Sequence, residues 1–155
     1  MNTISLFCKR PVNKEILEEF DGLQIIDSTL LYGTEHIEFA HKIAVNAFGR
    51  DENISSDLFV ETIVRASGQR QIKKAMKMYG LKDSNSIVVF GEKIPTDLLI
   101  RIDGKEFEIK MDAQKIKMLK SAFFLSQNEL YGAANSELDV IADLIKERVA
   151  LAHLI

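Results

Sequence analysis

The fold of this protein is indicated most clearly by residues 58–80, which read LFVETIVRASGQRQIKKAMKMYG. Apolar residues cover most of the circumference of a helix that begins at Ser55 or Ser56 and ends at Ala66, which predicts a central, buried helix. The pair Ser67-Gly68 predicts a break after it. A further helix is predicted from Gln69 to Tyr79, closed by Gly80.

This further helix has two unlike sides. At about 100° per residue, one side carries Ile72, Ala75, Met76 and Tyr79, and the opposite side carries Arg70, Lys73, Lys74 and Lys77. No acidic residue occurs between Thr62 and Lys82, although the net charge of the whole chain is −3. Such a local excess of positive charge predicts an anionic partner. The negative net charge, in contrast, excludes a protein that coats nucleic acid with its whole surface.

We expect nucleic-acid phosphates on the cationic side and at the turn before it, because free N–H groups at a helix start favour an anion. The candidate phosphate-binding residues are Arg65, Ser67, Gly68, Arg70, Lys73, Lys74 and Lys77. Two alternatives stay open. The lysines could form only a solvated face, or the chain could be a small phosphate- or nucleotide-metabolising enzyme that uses a helix start at Gly68 as its anion site.

Length and composition predict one globular domain over residues 1–155. The chain is 46% hydrophobic and 28% charged, which supplies enough apolar surface for a core. The single cysteine, Cys8, cannot form an intrachain disulfide, so we expect a reduced, intracellular and cytoplasmic protein. No run of 18 apolar residues is present, and we therefore expect no membrane span.

The rest of the sequence predicts a mixed α+β fold, with a helical middle packed on a small, mostly antiparallel sheet. β-rich runs occur at Thr3–Cys8, Leu23–Thr29 and Ile87–Phe90. Alternating residues on both sides of Asp103-Gly104 predict a hairpin from Ile100 to Ile109. The other predicted helices are Thr34–Phe48 with Thr34 as N-cap, one that Asp112 caps and that ends near Phe124, and a last one that Ser136 opens.

The sequence contains no constellation typical of catalysis. His36 and His41 are five residues apart, so a helix turns them about 140° from each other and they do not share a face as metal-binding pairs do. There is no phosphate-cradling glycine loop, no nucleophile elbow and no histidine paired in sequence with Cys8. We therefore expect no enzyme activity, no metal and no cofactor.

The end of the chain is unusually apolar. Residues 148–155 read RVALAHLI. Because chain ends are normally polar, this segment is expected either to dock in the core of the domain or to contact another protein. Both interpretations stay open from the residues alone.

Motifs along nearly the whole chain resemble one family, the kinase-binding regulatory subunit of the KEOPS tRNA-modification complex (the PRPK-binding protein family). The order and spacing of the motifs carry the resemblance, since each is weak alone. They are Thr34-Glu35-His36-Ile37 with Ala40 and Ala44, Asn53, Ser67-Gly68-Gln69-Arg70-Gln71-Ile72 with Ala75, Tyr79-Gly80-Leu81, the strand Ile87–Phe90, Asp112 with Ile116 and Leu119, Glu129-Leu130, and Arg148-Val149-Ala150-Leu151.

The resemblance implies a compact protein without catalysis of its own. It implies that the chain binds the N-terminal lobe of the small atypical kinase/ATPase of the complex, and that it contacts the 3′ CCA end of tRNA in support of threonylcarbamoylation of adenosine 37. The candidate phosphate-binding residues, together with Gln71, then form a tRNA-binding set. We assign the kinase contact to the last helix, at Leu144, Val149, Leu151 and Leu154, and expect a monomer when the chain is isolated.

Overall fold

The computed structural model describes residues 1–131 and 136–154. Over these residues the chain forms one antiparallel sheet with helices on both faces, which confirms the predicted α+β class. The strands are β1 (Asn2–Val12), β2 (Leu23–Asp27), β3 (Ser84–Gly91) and β4 (Gly104–Glu106). The helices are α1 (Thr34–Gly49), α2 (Leu58–Ala66), α3 (Ile72–Tyr79), α4 (Thr96–Ile102), α5 (Ala113–Ala122), α6 (Gln127–Leu130) and α7 (Glu137–Leu151), with 3₁₀ turns at Lys14–Glu19 and Ala152–Leu154.

The sheet has the order β2-β3-β1-β4, and each neighbouring pair of strands is antiparallel. Strand β3 lies inside the sheet and is apolar on both faces. Val88 and Phe90 point to one side, while Ile87 and Val89 point to the other, as the two-residue period of a strand requires. Both faces of the sheet are therefore covered.

A thick helical layer covers one face of the sheet. Helices α1, α2, α3, α5 and α7 contribute to one apolar cluster, which includes Ile37, Ile63, Ala75, Leu119 and Ile145. A thin layer covers the other face, where Leu98 and Ile102 of α4 pack with the first 3₁₀ turn. The central helix predicted from residues 58–66 is confirmed, because Phe59, Ile63 and Val64 all lie in the thick layer.

Three helix starts differ from the prediction, and one of them is α3, which begins at Ile72 rather than at Gln69. Helix α2 starts at Leu58 rather than at Ser55 or Ser56, because the Asp57 carboxylate accepts hydrogen bonds from the N–H groups of Phe59 (2.9 Å) and Val60 (2.8 Å). Helix α1 includes Thr34, so the N-cap is Gly33 and not Thr34. The starts of α5 and α7 agree with the prediction, with Asp112 and Ser136 as N-caps.

The predicted hairpin at Ile100–Ile109 is wrong. Residues up to Ile102 form α4, Asp103 ends this helix in the left-handed conformation (φ 50°), and Gly104 begins β4. Strand β4 pairs with β1 rather than with residues 100–102, because Leu98 and Ile102, one helical turn apart, are both buried beneath the sheet. The alternating pattern of residues 100–109 predicted a strand, but burial of Leu98 and Ile102, which are four residues apart, favours a helix.

Candidate nucleic-acid and partner interface

Helix α3 is held in one orientation by its buried side. Ala75 and Tyr79 are fully buried, and the Tyr79 hydroxyl donates a hydrogen bond to the Leu30 carbonyl oxygen (3.0 Å). Ile72 is the exception on this side, because it lies at the first turn and stays 38% exposed. The predicted two-sided character of this helix is confirmed, since the residues opposite Ala75 and Tyr79 face solvent.

The solvent side of α3 presents a set of lysines that we call the lysine face, Lys73, Lys74 and Lys77. All three are exposed. Over residues 1–131 and 136–154, the ion pairs involve other cations, and no carboxylate oxygen lies within 4.0 Å of the three lysine ammonium groups. Arg70, just before the helix, is exposed beside them. The lysine face can therefore take up phosphate groups without first breaking an ion pair.

The start of α3 adds to the positive character of this side. Gln71 is the N-cap in an extended conformation, its side chain makes no capping hydrogen bond, and the first turn contains no acidic residue. The first N–H groups of a helix have no partner within the helix and carry its positive dipole end. The lysine face thus continues into an uncapped helix start at Gln71 and Ile72.

Helix α3 does not start at Ser67-Gly68, where the sequence predicted an anion site at a helix start. Gly68 follows the C-terminus of α2, with φ 63°, and its N–H donates to the Arg65 carbonyl oxygen (3.0 Å). The Ser67 N–H donates to Ile63, the buried Ser67 hydroxyl donates to Val64, and that hydroxyl accepts from the Gln69 N–H. These donors are occupied at the negative end of a helix, so Ser67 and Gly68 do not form an anion site. The alternative enzyme that would use such a site loses its basis.

The prediction that Arg65 contacts an external phosphate is also wrong, because Arg65 is buried. Its side chain is 2% exposed and donates from Nε to the Glu61 carboxylate (2.7 Å) and from Nη2 to the Glu52 carbonyl oxygen (3.0 Å). The other Glu61 oxygen accepts from the N–H groups of Ile54 (2.9 Å) and Ser55 (2.7 Å). Arg65 belongs to a buried ionic network that holds the loop before α2, and it is not available to an external phosphate.

The kinase-binding residues predicted on the last helix divide into three kinds of environment. Val149 is fully buried in the thick helical layer, because it lies one turn beyond Ile145 on the inner side of α7, so it is a core residue. Leu144 is half-buried. Leu151 and Leu154 are 41% and 70% exposed. We call Leu144, Leu151 and Leu154 the apolar terminus; Ile155, the last residue of the apolar run, lies outside the described residues.

The turn between α2 and α3 packs against α7. A Cβ atom at Gly68 would be 3.7 Å from the Arg148 Cβ and 3.8 Å from the Phe123 Cε1. Arg148 is ion-paired with Glu129 of α6, and this guanidinium is the main reason why the pKa of Glu129 falls to about 2. Arg148 is one helical turn before Leu151, so the approach to the lysine face borders the apolar terminus.

Buried polar groups lie beneath these surfaces. The His36 Nε2–H donates to the Ala66 carbonyl oxygen (2.9 Å), its ring stacks on Tyr32 (centroids 4.6 Å apart), and its Nδ1 has no partner within the described part of the chain. Burial is the main cause that lowers the pKa of His36 to about 4. His41 Nδ1 contacts the Thr62 hydroxyl (3.0 Å) instead. The two histidines thus have separate structural partners, as their spacing predicted.

One exposed residue in this region received no role from the sequence. Phe124 follows α5 with its side chain 82% exposed, while Phe123 is buried against His36. The signal was the pair of adjacent aromatic residues, because neighbouring positions on a helix point about 100° apart and at the protein surface often differ in burial. Periodicity alone did not say which of the two faces outward.

A family model of kinase-binding proteins matches residues 10–153 of the chain, a range that includes α3 and α7. The class of the protein is therefore that of the kinase-binding proteins. The chain belongs to the family described as kinase binding protein CGI-121. It is similar to the regulatory protein Cgi121 of Methanocaldococcus jannaschii, with 24% identity over 146 residues that cover 92% of this chain and 91% of the relative. The resemblance drawn from the sequence motifs is confirmed.

Over residues 1–131 and 136–154, no group of three histidine, cysteine or acidic side chains is arranged to hold a metal ion. None of the helices in the same part of the chain combines the length and the apolar character that crossing a membrane requires.

Proposed function

We propose that this chain is the non-catalytic regulatory subunit of a KEOPS complex. It binds the small atypical kinase/ATPase of that complex and the 3′ CCA end of tRNA, and so supports threonylcarbamoylation of adenosine 37. It acts in the cytoplasm, is monomeric when isolated and needs no cofactor. The observation that carries the RNA half of the proposal is the lysine face, which presents three ammonium groups without a carboxylate partner among the described residues.

Several features support RNA as the ligand of the lysine face. Lys73 and Lys77 lie four residues apart on one side of a helix, at a distance that suits successive phosphates of one strand. Their mutual repulsion destabilises the free helix slightly, and a bound polyanion relieves it. Arg70 and Gln71 extend this surface to the uncapped helix start, so the proposed tRNA-binding set is now Arg70, Gln71, Lys73, Lys74 and Lys77.

The apolar terminus supports the proposed kinase contact. Leu151 and Leu154 expose apolar surface at the end of a helix whose inner side is fully packed. Exposed apolar residues that cluster next to a polar surface are typical of protein contact sites. Leu144 lies seven residues before Leu151 and therefore on the same side of α7.

Charge reversal of the lysine face tests the RNA contact. In the double variant Lys73→Glu/Lys77→Glu we expect tRNA affinity to fall at least tenfold at about 0.1 M salt, together with a shallower dependence of affinity on salt. The matched control is Lys42→Glu/Lys93→Glu, which changes the net charge equally at exposed lysines of α1 and of the β3–α4 loop. Equal loss in both variants would mean that only the net charge of the protein matters.

Trimming of the RNA tests which part of the tRNA is held. We expect the protein to bind intact tRNA more tightly than tRNA that lacks its terminal CCA, measured in the same gel-shift titration. Equal affinities would contradict recognition of the 3′ end and leave a general affinity for phosphates.

Charge introduction at the apolar terminus tests the kinase contact separately. Leu151→Glu should abolish co-purification with the kinase and leave tRNA binding unchanged. The matched control is Leu138→Glu, an equally exposed leucine at the other end of α7. Circular dichroism of both variants checks that each is folded, and retention of the kinase by a folded Leu151→Glu variant would remove Leu151 from the proposed contact.

A further inference from the structure

Phe124 occupies a backbone position that normally belongs to glycine. After α5, the Phe124 N–H donates to the Ser121 carbonyl oxygen (3.3 Å) and the Leu125 N–H donates to the Lys120 carbonyl oxygen (2.9 Å). These two bonds form a Schellman motif, in which the residue after the C-cap is left-handed. Phe124 is that residue, with φ 54°. A side chain with a Cβ costs free energy in this conformation, and glycine does not.

Burial does not offset this cost. The Phe124 side chain is 82% exposed, whereas the neighbouring Phe123 is 4% exposed and packs against His36. Within the described part of the chain, no other aromatic ring stacks on Phe124. The isolated protein would therefore be more stable with glycine at this position, which indicates that the ring serves something outside the chain.

The surroundings of the ring favour a nucleotide base over an apolar protein segment. The apolar neighbours Ala122, Phe123 and Leu125 pack toward the core, so the exposed residues beside Phe124 along the chain are polar: Ser121, Ser126, Gln127 and Asn128. A protein anchor is typically enclosed by further apolar contacts that exclude water. An unpaired base needs a flat aromatic face for stacking and nearby polar groups for its edge, and the side-chain amides of Gln127 and Asn128 supply both donors and acceptors.

The helix end that carries Phe124 contacts the turn that precedes α3. Phe123, its neighbour, approaches within 3.8 Å of the Cβ position of Gly68, in the turn that leads to α3. The end of α5 thus contacts the turn after which Arg70, Gln71 and the lysine face follow along the chain.

We infer that Phe124 is a stacking platform for an unpaired base of the RNA strand whose phosphates bind the lysine face. This inference rests on the proposed RNA binding and adds a residue that holds a base rather than a phosphate. Base stacking on an aromatic side chain tolerates any base and requires a single-stranded nucleotide, so Phe124 would select unpaired ends over duplex.

The first experiment uses tryptophan as a probe of stacking. The chain contains no tryptophan, so Phe124→Trp introduces a single fluorophore at the proposed platform. We expect a short single-stranded RNA ending in CCA to quench this fluorescence with the same midpoint as binding, and inorganic polyphosphate to bind without quenching. RNA that binds tightly but leaves the tryptophan fluorescence unchanged would overturn the inference.

The second experiment separates stability from binding. Phe124→Gly should raise the unfolding midpoint by about 2–4 °C, because it removes the left-handed strain. The same variant should bind the RNA about tenfold more weakly, with an unchanged salt dependence, because only the phosphates release counterions. The control Phe7→Ala removes an exposed aromatic ring on β1 and should leave RNA affinity unchanged.

The outcomes distinguish this inference from the function on which it rests. If the wild-type protein does not bind single-stranded RNA, both are wrong. If Lys73→Glu/Lys77→Glu loses RNA while Phe124→Gly retains it, the proposed function stands and the stacking platform is wrong. If Phe124→Gly retains RNA but loses the kinase, Phe124 is a protein anchor and the inference is overturned.

Discussion

Arg65 and the lysine face belong to the same acid-free stretch of sequence, yet the protein uses them in opposite ways. Arg65 lies inside the molecule and donates to Glu61 and to a backbone carbonyl oxygen, while Lys73, Lys74 and Lys77 point to solvent without a carboxylate partner among the described residues. A cluster of cations in sequence therefore does not define a cationic surface. What decides is whether a helix offers an acid four residues earlier on its buried side.

The buried pair of Arg65 and Glu61 and the exposed lysine face differ in how much free energy of folding is lost when one side chain is removed. Glu61 accepts three hydrogen bonds, from Arg65 and from the N–H groups of Ile54 and Ser55, with both charged side chains out of water. Removal of one member leaves an uncompensated buried charge, which is far more costly than the net value of the intact pair. The lysines are hydrated whether or not they bind anything, so their loss changes the fold little.

The largest expected effect on stability comes from removing the buried arginine. Arg65→Ala should lower the free energy of unfolding by about 3–5 kcal/mol, because the Glu61 carboxylate is left buried without its cation. Urea unfolding measures the change. Lys74→Ala is the control on the exposed side and should change the same quantity by less than about 0.5 kcal/mol. Similar losses in the two variants would contradict the contrast between the regions.

A smaller effect comes from pH and again concerns only the interior. The pKa of His36 is about 4 in the folded protein, and its usual value is about 6.5 in an unfolded chain. Between these values the unfolded state binds the proton and the folded state does not, so stability is complete above pH 6.5 and is lost as the pH falls toward 4. The expected loss is about 3 kcal/mol.

Urea unfolding at several pH values tests this prediction against His36→Phe, which removes the titrating group and keeps an aromatic ring next to Tyr32. We expect the variant to show a shallower fall in unfolding free energy between pH 6.5 and pH 4. The shared carboxylates act as a common background in both proteins. Equal slopes would mean that another group carries the acid sensitivity.

The smallest expected effect concerns the turn that joins the two regions. Gly68→Ala should lower the free energy of unfolding by about 1 kcal/mol, because φ is 63° while the new Cβ meets only ordinary contacts at 3.7 Å and beyond. Gly49→Ala is the matched substitution at the end of α1, where the Cβ meets nothing within 4 Å, and it should instead stabilise by several tenths of a kcal/mol. If both substitutions changed the free energy of unfolding in the same direction, a side chain at position 68 would not be strained.

Elements with a strong local signal could be predicted from the sequence, and the exceptions have a common cause. Asp112 and Ser136 cap their helices as predicted, because a capping bond joins residues only a few positions apart. The predicted hairpin at Asp103-Gly104 is wrong because α4 and β4 each have a partner far away in the chain. Leu98 of α4 packs beneath the sheet in the cluster that includes Leu6 of β1, and Gly104 of β4 pairs with Cys8 of β1. Neither partner is visible in a ten-residue window.

The candidate site divides in the same way. The exposed lysines follow from the period of one helix, so their common side was predictable, whereas the sequence left open whether the leucines at the chain end are buried or exposed. The burial of Arg65, the closed turn at Ser67-Gly68 and the core position of Val149 depend on how α2 and α7 pack, and were not predictable. Phe124 needed the left-handed backbone and the exposed ring together.

By itself, the sequence determined the type of each long element, the oily and cationic sides of α3, and membership in a family, because these depend on residue order and short spacing. Tertiary structure alone decided which cations are buried, where α3 begins, and how the turn before α3 packs against α7. The physical reason is that burial is a property of neighbours that arrive from distant parts of the chain, and the free energy of a charge changes most when those neighbours remove its water.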